Sequence, residues 1–130
     1  MYHTWENQRA ILLEQLAAAL PAGEAFILID DDQLGLGARF EGRRIIPFLE
    51  RDGHYWGPPP DDVAAIENLE SLRRAGVGTL VIAWPSFWWL DQYGDFDHHI
   101  RATCAAAFHC PHGIVFDLRN VTGSASRNTE

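Results

Sequence analysis

A chain of 130 residues that is 47% hydrophobic and 12% aromatic holds enough apolar material for one packed core and is too short for two large ones. Ten Lys and Arg against eighteen Asp and Glu leave a formal charge of −8 with no basic tract, which argues against a nucleic-acid backbone or an anionic membrane surface as partner. No stretch approaches the ~20 apolar residues of a membrane span, and the opening Met1-Tyr2-His3-Thr4-Trp5-Glu6 lacks the basic-then-apolar order of a secretion signal, so the expectation is a soluble cytoplasmic protein.

Thr4 can cap a helix whose apolar positions Trp5, Ile11, Leu12, Leu16, Ala19 and Leu20 recur mainly at three- and four-residue intervals, with Pro21 stopping it. Ala25-Phe26-Ile27-Leu28-Ile29 is a short continuous apolar run, as in a strand covered on both faces, and it ends in Asp30-Asp31-Asp32-Gln33. A weak glycine-bearing stretch follows. Ile45-Ile46-Pro47-Phe48 then predicts a second, shorter strand that Pro47 ends or pushes to a sheet edge. Glu50 to Pro60 reads as a long aromatic loop carrying Gly53, His54, Tyr55, Trp56, Gly57 and three successive prolines.

Asp61 or Asp62 caps a helix that runs through Ala75, with Arg73 and Arg74 late and Gly76 just past its end. Val77 to Ala83 predicts a buried strand leading into Trp84-Pro85-Ser86-Phe87-Trp88-Trp89-Leu90-Asp91-Gln92-Tyr93, which holds three of the five tryptophans. Trp88 to Thr103 predicts one bent helix or two short ones interrupted at Gly94, with Asp95 capping the second. Ala105 to Phe108 and Ile114 to Leu118, joined through His109-Cys110-Pro111-His112-Gly113, predict a terminal hairpin. Residues 122–130 are small and polar, a disordered tail by composition, which leaves 1–121 as a single domain. The order of elements predicts an α/β three-layer sandwich with a mostly parallel central sheet and an antiparallel C-terminal hairpin at its edge.

Cys104 and Cys110 are separated by ~20 Å if extended and ~9 Å if helical, beyond the ~7 Å reach of a disulfide unless an irregular turn joins them, so reduced thiols are expected. In an extended segment Cys104 shares one sheet face with Ala106 and Phe108, as a small core residue. His109, Cys110 and His112 carry zinc-compatible atoms without the paired spacing of a structural site, so no metal is expected there.

An early strand followed by acids, Pro47-Phe48, Gly53-His54-Tyr55-Trp56-Gly57, Pro60-Asp61-Asp62, Trp88-Trp89-Leu90-Asp91-Gln92-Tyr93 and Val115-Phe116-Asp117-Leu118 together form a pattern from about Ala25 to Arg119. In these residues the chain resembles a small bacterial α/β domain found in proteins of surface-polysaccharide and glycosyltransferase biosynthesis, often beside a transferase module. The resemblance implies a carbohydrate-related, cell-envelope setting and brings no catalytic residues with it.

Ligands of open α/β sheets gather beyond the carboxyl ends of the strands, where Asp31, Asp32, Trp84 and Ser86 fall. Asp30-Asp31-Asp32 contains an Asp-x-Asp spacing suited to a hard divalent cation. Its plainer reading is a turn with solvated acids, one of which caps the backbone that follows. Ser86 lacks the flanking glycines of a nucleophile elbow and reads as the cap of the next helix. His54, Tyr55 and Trp56 offer aromatic faces and an imidazole to a sugar ring, or else pin the loop to the sheet.

Tyr55, Trp56, Trp84, Ser86 and Trp89 are thus the candidate ligand-binding residues, with no cofactor, and the leading expectation is a non-catalytic accessory or ligand-binding domain for a sugar or nucleotide sugar. A small enzyme using His54 with Asp31 or Asp32 as general acid and base is one alternative. An interaction module using Trp88, Trp89 and Tyr93, as a homodimer or docked on a larger enzyme, is another. Adjacent helical residues point about 100° apart, so one of Trp88 and Trp89 is expected in the core and the other at the rim near Tyr55 or Trp56.

Overall fold

The computed structural model describes residues 4–52 and 54–119; the tail expected over 122–130 lies outside the described residues, as does the capping side chain of Thr4. Helix α1 (Thr4–Ala19) precedes strands β1 (Phe26–Ile29), β2 (Arg39–Phe40) and β3 (Arg43–Pro47). A small hairpin of β4 (Glu50–Arg51) and β5 (His54–Tyr55) stands where the sequence suggests a loop, since strands of two residues carry no periodicity to read. Helix α2 (Asp62–Arg74), strand β6 (Thr79–Ala83), a 3₁₀ turn (Trp84–Ser86), helices α3 (Trp88–Gln92) and α4 (Gly94–Thr103), and strands β7 (Ala105–Cys110) and β8 (Gly113–Asp117) follow within the described residues.

Six strands form one sheet in the order β2-β3-β1-β6-β8-β7. β1 pairs in parallel with β3 and β6, whereas β2 with β3, β6 with β8 and β7 with β8 are antiparallel. The sheet is therefore mixed, and the mostly parallel arrangement expected from the order of elements is corrected. The terminal hairpin turns back so that β8, its second strand, lies against β6, and β2 adds a further antiparallel pair that no sequence pattern announces. Pro47 is tolerated because β2 covers only Arg43 and Arg44, which leaves the outer side of β3 free of a ladder at the proline.

Alternation along the central strands feeds two cores. Phe26, Leu28, Val81, Ala83 and Val115 pack with Leu12 and Leu16 of α1 and with Leu20 just past its end. Ile27, Ile29, Leu80, Ile82, Ile114 and Phe116 face the other way, toward Leu69 of α2, Trp89 of α3 and Phe96 and Ile100 of α4. Helices cover both faces, which is why β1 and β6 are buried along their whole length. Where α1 approaches β8 the packing is close: a Cβ on Gly113 would stand 2.7 Å from Leu12 Cδ1, so the Leu12 side chain would have to move.

The β7–β8 ladder shifts register between Ala106 and Phe108. This bulge turns Phe108 toward the α1 core while Cys104, the last cap residue of α4, is buried in the other core, so strict alternation from Cys104 through Ala106 to Phe108 does not hold. Both cysteines are buried and no disulfide joins them, and burial pushes the Cys104 thiol pKa up.

Helix ends are satisfied partly from other elements. Asp61 accepts from Ala64 N at 2.9 Å, as its sequence position predicts. Asp95 does not cap α4; Asp62 of α2 does, its Oδ2 accepting from Asp95 N at 2.7 Å and Phe96 N at 3.0 Å. Buried Arg43 of β3 closes the other end of α1, donating to Ala17 O, Leu20 O and Pro21 O. Asp62→Ala is accordingly expected to lower urea-unfolding stability by about 1–2 kcal/mol, against less than about 0.5 kcal/mol for Asp95→Ala. Equal losses would show that the cap from α2 is not made.

Candidate functional site

β1 delivers three consecutive acids to the carboxyl edge of the sheet, and the structure gives each a different task. Asp30 is buried, and its two oxygens accept from Asp32 N at 2.9 Å and Leu34 N at 3.1 Å, which makes it the turn-capping acid. Burial raises its carboxyl pKa, opposed by those two backbone donors. Asp31 and Asp32 both sit in the left-handed region, at φ 51 and 58, where aspartate is better tolerated than most side chains.

The Asp31 carboxylate is the hub. Its Oδ1 accepts from Tyr55 Oη at 3.2 Å and Trp89 Nε1 at 3.1 Å, and its Oδ2 from Ser86 Oγ at 2.8 Å and Trp88 Nε1 at 2.7 Å. A carboxylate offers about four lone-pair sites, and here side-chain donors from β5, the 3₁₀ turn and α3 take that many. The arrangement ties the end of β1 to the hairpin and to the segment after β6. Tyr55 serves as a neutral donor, because burial first and the Asp31 charge second hold its phenol pKa far above the ordinary value. Tyr93, also pushed up chiefly by burial, donates to Pro59 O at 2.7 Å and anchors the proline segment.

Beside the hub lies an open cleft of about 390 Å³ lined by Asp32, Gly37, Ala38, Ile45, Pro47, His54 and Tyr55. Asp32 follows β1, Ile45 lies within β3 and Pro47 ends it, and the β4–β5 hairpin supplies His54 and Tyr55, so the cleft stands toward the carboxyl ends of two parallel strands. Its described lining contains a carboxylate, an imidazole and a phenol over an apolar floor, and no Lys or Arg.

Several expectations are corrected by this geometry. Ser86 does not cap α3; it is fully buried and spends its hydroxyl on Asp31. Trp89 is 0% exposed and lies in the core, so it cannot line a ligand surface, whereas Trp88 is 43% exposed at the rim and shares Asp31 with Tyr55. Trp84 turns to the α1 side, where it meets the rings of Trp5 at 5.7 Å and His112 at 6.0 Å, away from the cleft. Trp56 is 60% exposed, with the Arg51 guanidinium 3.8 Å from its ring centroid, so one of its faces is already occupied. His54 lines the cleft with Asp32, but among the described residues no hydrogen bond or ion pair joins it to Asp31 or Asp32, so the expected imidazole–carboxylate couple is not assembled.

Among the described residues no group of three or more His, Cys, Asp or Glu is placed to hold a metal ion, and no helix is long and apolar enough to cross a membrane. The residues that sequence reasoning missed are Gly37, Ala38, Ile45 and Pro47; Gly37, at φ 75, marks a turn without revealing what the turn faces. No family model, curated protein or solved structure matches this chain.

Proposed function

We propose that this domain is a non-catalytic ligand-binding module of a carbohydrate or cell-envelope biosynthetic system, and that the cleft between the Asp32 turn, the end of β3 and the β4–β5 hairpin receives its ligand. The observation that carries this reading is the saturation of Asp31: the acid best placed to act as a base or hold a cation already accepts four side-chain hydrogen bonds. Taking it away from them would strand the buried Trp89 N–H. His54 then lacks the carboxylate that would fix its tautomer.

What remains suits recognition. Asp32 and His54 can hydrogen-bond to hydroxyls while Ile45, Pro47 and the Tyr55 ring meet the apolar side of a sugar. With Asp32 in the wall and no Lys or Arg in the described lining, the cleft favours the neutral saccharide over the diphosphate of a nucleotide sugar.

Calorimetric titration with neutral saccharides, nucleotide sugars and the free nucleotides tests both points. Binding of a saccharide is expected, weakened at least about tenfold by Asp32→Ala and by His54→Ala, the loss of about 1.4 kcal/mol that one good polar contact represents. A flat response to every compound would remove the ligand-binding reading, and tight binding of free nucleotides would remove the preference for the saccharide.

A further inference from the structure

The two edges of the sheet are built differently. β2 at one edge has two residues, Arg39 and Phe40, set against Arg43 and Arg44, a short charged edge that discourages pairing. β7 at the other edge runs six residues, Ala105-Ala106-Ala107-Phe108-His109-Cys110, with no proline and no Asp, Glu, Lys or Arg, and among the described residues no strand lies on its outer side. A bulge between Ala106 and Phe108 interrupts it.

Neither helical layer closes over this strand. On one side a groove of about 320 Å³ separates Phe108 from Gln15, Ala18 and Ala19 of α1; on the other, about 310 Å³ lies open beside Arg101 and Ala106. Ile11, 42% exposed, stands four residues before Gln15 and seven before Ala18, so it extends the same flank of α1.

We propose that the β7 edge is an interface for a second copy of this chain, with two β7 strands pairing antiparallel about a two-fold axis so that the sheets run on into one another. The facing pattern of the strand selects this occupant. Ala106 and His109 are paired with Phe116 and Ile114, which face the α2–α4 core, while between them Ala107 lies beside Ala19 and Val115, and Phe108 belongs to the α1 core. The pattern reads the same from either end, and an antiparallel pair centred between Ala107 and Phe108 sets like-facing residues opposite one another.

Electrostatics and shape agree with it. Each copy carries a charge of −8, and this edge is a place where two copies can meet without setting acids of one strand against those of the other. Helix α1 presents the small side chains of Ala18 and Ala19 beside the middle of the strand. The contact is isologous and closes at the dimer.

Light scattering and sedimentation of the full chain, from dilute to millimolar solution, are expected to give twice the 14.6 kDa chain mass at high concentration. Ala106→Lys is expected to raise the dissociation constant at least about tenfold with the thermal transition unchanged, and hydrogen exchange over residues 105–110 to slow with concentration in the wild type alone. Should Ala106→Lys fail to fold, His109→Asp, at another exposed position of the strand, provides the same comparison. A monomer at every concentration overturns the proposal, as does a dimer that the folded variant leaves unweakened or whose β7 amides exchange at a concentration-independent rate.

Discussion

Replacing Asp31 by alanine is expected to cost about 4 kcal/mol in urea unfolding, one of the largest losses that a partly exposed polar residue of this chain can produce. Four donors lose their acceptor, and they are not equivalent. Trp89 is fully buried and its Nε1 donates to Asp31 at 3.1 Å, so losing that acceptor costs about 1–3 kcal/mol. The exposed Trp88 and half-buried Tyr55 recover much of theirs from water. Alanine at φ 51 adds about 1 kcal/mol of backbone cost. Asp31→Asn keeps a residue that accepts this backbone and retains one acceptor oxygen, so it is expected to lose about half as much. Two variants within about 1 kcal/mol of the wild type would mean that the four contacts are not made together in solution.

The adjacent tryptophans provide the second large contrast. Trp89→Ala removes a fully buried ring that meets Phe48 at 6.0 Å, Tyr93 at 5.1 Å and Phe96 at 6.3 Å, and should cost about 3–5 kcal/mol, enough to unfold a marginal domain. Trp88→Ala gives up a hydrogen bond and part of a ring already 43% in solvent, for about 1 kcal/mol. The expected observation is two chemical-denaturation midpoints well apart, with the Trp89 variant the less stable. Similar large losses for both would place Trp88 in the core as well.

How much of this was readable depended on how local each determinant is. α2 was legible at both ends, because the Asp61 cap, the late Arg73 and Arg74 and the following Gly76 all act within one turn of the helix. β1 is legible as an unbroken apolar run and β6 as a largely apolar one, for the physical reason that helices cover both faces of the sheet. Strand direction was not legible, since whether β7 or β8 lies next to β6 is decided by packing of the whole hairpin. The bulge in β7 likewise defeats an alternation count, as one extra residue exchanges the faces beyond it.

At the site, Asp31, Tyr55, Ser86 and Trp89 are all candidates by sequence, and the structure brings them together. Their chemistry marks polar atoms that need partners, and a sequence does not say whether the partner is a ligand or another side chain. Trp84 stood beside them in the chain and departs because Ala83 and Trp84 continue toward the α1 core. Asp62 was read as a helix start and not as the cap of a different helix, because the residues it serves are 33 and 34 positions away.

That borrowed cap imposes an order of events on folding. α4 has ten residues, too few to persist in water by itself, and its leading amides find a carboxylate only when the start of α2 is already in place. Nucleation of α4 is thereby made conditional on α2, which carries its own Asp61 cap and can begin first. Perturbations within α2 should register in the folding rate, and those within α4 mainly in the rate of unfolding.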